Sequence, residues 1–70
     1  MNHAKVAAIA ATAYNLHIGP KVRGPAMSPT IAQALSVEKQ ISLCRLLAER
    51  GGSDLWSQAD AADAAAYLEG

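Results

Sequence analysis

An all-α fold, a small bundle of three helices, is what this sequence predicts. Sixteen of the seventy residues are alanine, the strongest helix former. Apolar residues recur at helical spacing, and glycine and proline interrupt that spacing at only two places, 18–29 and 51–52. No strand, repeat or low-complexity tail competes with this reading.

The first helix is expected over 3–17. With about 100° of turn per residue, Val6, Ile9, Ala10, Ala13 and Leu16 share one face. Ala4, Ala8, Ala11 and Asn15 share the opposite one. Gly19-Pro20 follows, and proline cannot continue a helix, so the helix stops near His17.

Residues 18–29 then form the one long connection. Pro20, Pro25 and Pro29 fix their own φ and restrict their predecessors, so the segment is stiff for its length. It exposes Lys21, Val22 and Arg23.

The second helix is expected over 30–50. Ser28 is a good N-cap, and Pro29 suits the first helical position. A fresh start at Ser36 is the weaker option, because Lys39 rather than Glu stands at the capping-box position. One helix, bent at most near Ser36, is therefore expected. Its seam is Ile31, Ala34, Leu35, Ile41, Cys44 and Ala48, widened by Val37, Leu43 and Leu47. Glu38, Ser42, Arg45 and Glu49 form the wet face, and Leu46 falls on that polar side. Gly51-Gly52 ends the helix.

Ser53 is read as the cap of a third helix over 54–69, with Asp54 favoured by the helix dipole in its first turn. Leu55, Ala59, Ala62 and Ala66 would make its seam. Trp56 and Tyr67 lie off that seam.

The chain allows one domain, residues 1–70, and it is short of bulk for a core. It has no phenylalanine, and alanine buries little area. Small domains without disulfides or metals commonly complete their core by oligomerisation, so a homodimer is expected. Cys44 is the only cysteine, which excludes an internal disulfide. A lone thiol in an apolar stripe reads as a small buried hydrophobe, and suits a reducing, cytoplasmic setting. No stretch approaches the ~20 apolar residues of a membrane span.

The net charge is zero but unevenly placed. Residues 1–35 carry Lys5, Lys21 and Arg23 and no acid, giving +3. Residues 36–70 carry six acids against Lys39, Arg45 and Arg50, giving −3. Such halves attract one another within a chain or between chains. A helix–turn–helix DNA-binding regulator is the alternative reading of residues 37–68. Charge speaks against it: Asp54, Asp60, Asp63 and Glu69 would occupy the recognition helix, where lysine and arginine should meet phosphate.

Catalytic, metal-binding and cofactor-binding signatures are not found. His3, His17 and Cys44 are scattered, and no nucleophile–base pairing or ligand spacing joins them. The expectation is a non-enzymatic module that binds and modulates a larger protein as a homodimer. A structural subunit of a larger assembly is a further alternative. Leu46, Trp56 and Tyr67, with Lys21, Val22 and Arg23, are the expected partner contacts, since off-seam aromatic and apolar residues are enriched at hot spots.

Overall fold

A computed structural model describes all seventy residues, and its regular structure is entirely helical. Five helices follow in order: α1 (His3–His17), α2 (Gly19–Val22), α3 (Pro29–Gln33), α4 (Val37–Glu49) and α5 (Gln58–Glu69). The expected three-helix count is thus corrected to five. α1 is the hub: it packs on α3, α4 and α5, while α4 and α5 pair closely.

Asn2 caps α1 by accepting from the Lys5 amide at 2.9 Å. The helix buries Val6, Ala7, Ile9, Ala10, Ala11 and Ala13, more than the one face expected. Ala11, assigned to the outside, is buried because neighbours surround the helix and alanine admits them on any side. Leu16, assigned to the seam, is half-exposed beside the Ser53–Leu55 turn.

α1 ends at His17, as expected. Gly19-Pro20 does more than break it, however. Proline near a helix start is tolerated because its missing N–H has no partner there, and the chain turns at once into the single-turn α2. Arg23 ends that turn in the left-handed region, φ 54°. The rest of the connection is tied down by Asn15. Its Nδ2 donates to the Met27 carbonyl at 2.9 Å, and its Oδ1 accepts from the Met27 amide at 2.8 Å. The clamp seats Met27 against the core.

The expected continuous helix over 30–50 is two helices. Ser28 caps α3, accepting from the Ile31 amide, and Ser36 caps α4, accepting from the Lys39 amide at 3.2 Å. The break frees carbonyls that a continuous helix would satisfy. Gln40, only 6% exposed, takes them: its Nε2 donates to Leu35 O at 2.9 Å and Gln33 O at 3.3 Å. A buried amide bonded in this way stabilises the break, and no capping-box acid is needed. Ile31 and Val37, expected on the seam, are half-exposed in consequence.

α4 closes with a Schellman turn. Gly52 N–H donates to Leu47 O at 2.9 Å and Gly51 N–H to Ala48 O at 3.2 Å, with φ of +82° and +88°. Ser53 then caps a separate turn rather than α5. Its hydroxyl accepts from the Leu55 and Trp56 amides at 3.2 and 3.1 Å, and its own N–H donates to Trp56 O at 2.7 Å. α5 therefore starts at Gln58, not 54. Ser57 accepts from the Asp60 amide at 3.0 Å, and the Asp60 carboxylate accepts from the Ser57 amide at 3.1 Å. These bonds to Ser57 hold the Asp60 carboxyl below its ordinary value.

α5 buries Ala61, Ala64 and Ala65, and exposes the expected seam of Leu55, Ala59, Ala62 and Ala66. That seam was anchored on Leu55, which lies outside the helix. Asp60 and Asp63 mark the outer side of the helix, and Leu68 shares the buried side with Ala61, Ala64 and Ala65. Small residues on the buried side let α4 and α5 approach closely.

Eight of the thirteen core residues are alanine; Ile9, Leu47, Val6 and Cys44 are the largest side chains fully buried. The accessible surface, 4281 Å², matches the ~4,200 Å² that scaling with mass gives for a compact monomer. The fold is therefore not loose. What it lacks is bulk inside.

Cys44 is fully buried between α1 and α4, its Sγ 4.0 Å from Val6 O. Burial pushes the thiol up to about 11, so it is held as the unreactive neutral form. An unfolded chain loses that proton near 9, its ordinary value. Between these values the unfolded state binds fewer protons, and folding stability falls as pH rises. Below that window this contribution is fully present. Urea midpoints at pH 8 and pH 10.5 are expected to differ more for the native chain than for Cys44→Ala. Equal differences would show that the thiol is accessible to solvent.

Candidate functional site

Four concavities mark the surface. The largest, about 480 Å³, opens between the end of α1, the 18–27 connection and the α3–α4 corner. Tyr14, Ile18, Met27, Leu35 and Leu43 form its apolar lining, with Glu38, Lys39 and Ser42 also in its wall. A second hollow of about 390 Å³ shares Ile18, Ser42 and Leu43 and continues along α4 to Arg45, Leu46 and Glu49. Together they make one apolar groove.

Local sequence builds this groove. The Asn15 clamp places Met27 at one wall. The Ser36 cap and the Gln40 amide hold the corner that presents Leu35, and turn the exposed side of α4 outward. Lys21 and Arg23 are exposed on the connection between Ile18 and Met27 and are not among the residues that line the groove. The charged residues along the groove balance, Lys39 and Arg45 standing with Glu38 and Glu49.

A separate concavity of about 350 Å³ is lined by Thr12, Leu16, Ser53, Asp54 and Leu55. Leu55 is 77% exposed, the most exposed large apolar side chain in the protein.

The six expected contact residues are spread over different parts of the surface. Leu46 lines the groove. Lys21, Val22 and Arg23 project from α2 and its end, with Val22 half-exposed. Tyr67 sits against His3, ring centroids 5.4 Å apart and planes at 69°, and keeps part of its surface exposed. Trp56 is partly buried against the core; its indole Nε1 donates to Thr12 Oγ1 at 3.2 Å, and Lys5 Nζ lies 5.8 Å from its ring centre. Trp56 thus ties the entry of α5 to α1. Trp56→Ala is expected to cost about 2 kcal/mol of stability, less than for a fully buried tryptophan, as read from urea unfolding.

Sequence reasoning missed Tyr14, Ile18, Met27, Leu35 and Leu55. For the first four no local signal exists, since they meet only through the path of the 18–29 connection. Leu55 had one: Ser57 followed by Asp60 three residues later marks a helix start beyond it.

No group of three or more His, Cys, Asp or Glu gathers as a metal would require. No helix is long and apolar enough to cross a membrane. No protein family, curated protein or solved structure matches the chain.

Proposed function

We propose that the chain is a small non-enzymatic protein-interaction module that self-associates as a homodimer and docks on a larger protein to modulate it. One observation carries the reading. The core fully buries few large side chains, Leu16, Val22, Ile31, Val37, Leu55 and Tyr67 stay substantially exposed, and an apolar groove lined by Tyr14, Ile18, Met27, Leu35 and Leu43 opens on the surface. A compact domain with so much apolar residue outside is suited to further burial by association.

The groove supports docking because its walls are held by hydrogen bonds before any partner arrives, which lowers the ordering cost of binding. Leu46 is a cleaner probe of docking than Trp56, whose loss also weakens the fold. The test is capture from an extract of the source cells. The folded chain is expected to retain one larger protein in fixed stoichiometry, and Leu46→Asp to lose it without loss of helicity. Retention of nothing by the folded chain at low salt would overturn the reading. Retardation of duplex DNA at low salt would favour the regulator alternative instead. Against that alternative, α5 carries Asp60, Asp63 and Glu69 and no cation, and residues 50–57 separate it from α4.

A further inference from the structure

The longest exposed run in the chain is Pro20–Ala26, and α2 within it buries no residue. The backbone of Gly24, Pro25 and Ala26 makes no hydrogen bond to the rest of the chain. Nothing lies within 4 Å of the Cβ position of Gly24. Arg23 is the one non-glycine residue at positive φ, 54°. Extending it relieves the strain of left-handed backbone, so the segment opens at little cost. Its two ends are nevertheless fixed. Ile18 N–H donates to Tyr14 O at 2.9 Å, and the Asn15 amide holds Met27.

We propose that the Arg23–Gly24 bond is a processing site, cut in the folded protein by an endopeptidase that requires a basic residue before the scissile bond, and that the two pieces stay together as one fold. Such an enzyme binds several residues on each side in extended form, so it cuts where the chain opens most readily. Water adds across the amide: the Arg23 carbonyl carbon becomes a carboxylate, and the Gly24 nitrogen leaves as an ammonium.

Charge favours the same bond. No acid precedes Glu38 in the chain, so an anionic specificity pocket meets no like charge on this segment. The other basic residues are less open. Lys5, Lys39 and Arg45 stand within α1 and α4. Arg50–Gly51 is the nearest rival, but Glu49 and Asp54 flank it. The amides of Arg50, Gly51, Gly52 and Ser53 are also all bonded to backbone carbonyls there.

After the cut, residues 1–23 keep α1, whose buried face packs on α3, α4 and α5 of residues 24–70. Ile18 and Met27 remain on the groove wall, each held by its own bonds. Gly19–Arg23 becomes a basic tail leaving the groove at Ile18, and Gly24 begins the second piece with a new cation. The inference is independent of the docking reading.

Limited digestion of the whole chain with trypsin, followed by intact-mass measurement, tests it. Residues 1–23 and 24–70 are expected as the first products, formed about tenfold or more faster than by a cut after any basic residue outside this segment. The pieces should elute together in gel filtration, retain the helical circular dichroism of the uncut chain, and separate in urea. Lys21→Gln combined with Arg23→Gln should abolish the tryptic cut in this segment and leave the circular dichroism unchanged. A protease of broad specificity should still cut that variant first within residues 20–26, which separates the opening of the segment from the choice of side chain. A first tryptic cut after Arg50, or inside α1 or α4, would overturn the proposal, as would pieces that part without denaturant.

Discussion

Replacing Gly52 by alanine is expected to destabilise the protein by about 3 kcal/mol or more, enough to unfold much of a domain this small. Gly52 sits at φ +82°, where an L side chain is strained. The space is also closed. A Cβ there would lie 2.7 Å from Gln58 N, 2.7 Å from Trp56 O and 2.8 Å from Ser57 C. All three are backbone atoms of the α5 entry, so no side-chain rotation relieves the clash. Gly51 supplies the control. Its φ is +88°, but nothing lies within 4 Å of its Cβ position. Gly51→Ala should therefore cost only the backbone strain, about 1–2 kcal/mol. Urea midpoints for the two variants measure the difference. Equal costs would mean that the turn can shift away from residue 52.

Leu47→Ala should cost a similar amount, about 3 kcal/mol. Leu47 is fully buried, one of the few bulky side chains in a core that is mostly alanine. Its removal loses transfer free energy and leaves a cavity that short, rigid neighbours cannot reach across. Thermal unfolding is expected to begin near ambient temperature in this variant. Leu55→Ala, at the other extreme of exposure, should change monomer stability by no more than about 0.5 kcal/mol. A small loss for Leu47→Ala would show that α4 and α5 collapse onto the vacancy.

What could be read from the sequence was the local part of the structure. The helical class, the end of α1 at His17, the glycine stop after α4 and the burial of Cys44 each follow from neighbouring residues. The break at Ser36 could not be read the same way. Its cost is met by Gln40, whose amide reaches back five and seven residues to carbonyls that a continuous helix would have bonded. The orientation of α5 was misread because its seam was counted from Leu55, outside the helix; Asp60 and Asp63 on one side and Leu68 with Ala61, Ala64 and Ala65 on the other carried the true rotation. Of the expected contact residues, Leu46 lies in the groove and the rest lie elsewhere. The groove depends on where Asn15 pins Met27, a contact across twelve residues that no periodicity announces.

A core made mainly of methyl groups also sets how the molecule responds to temperature. The heat-capacity change on unfolding grows with the apolar area newly exposed to water, and alanine exposes little. The stability curve of this protein should accordingly be shallow. It would have a low maximum and gently sloping sides, and the folded fraction would vary less between a cool and a warm environment than in a leucine-rich bundle of equal length. Where such a chain stands folded, its margin is thin but nearly constant, and association rather than cooling is the effective way to widen it.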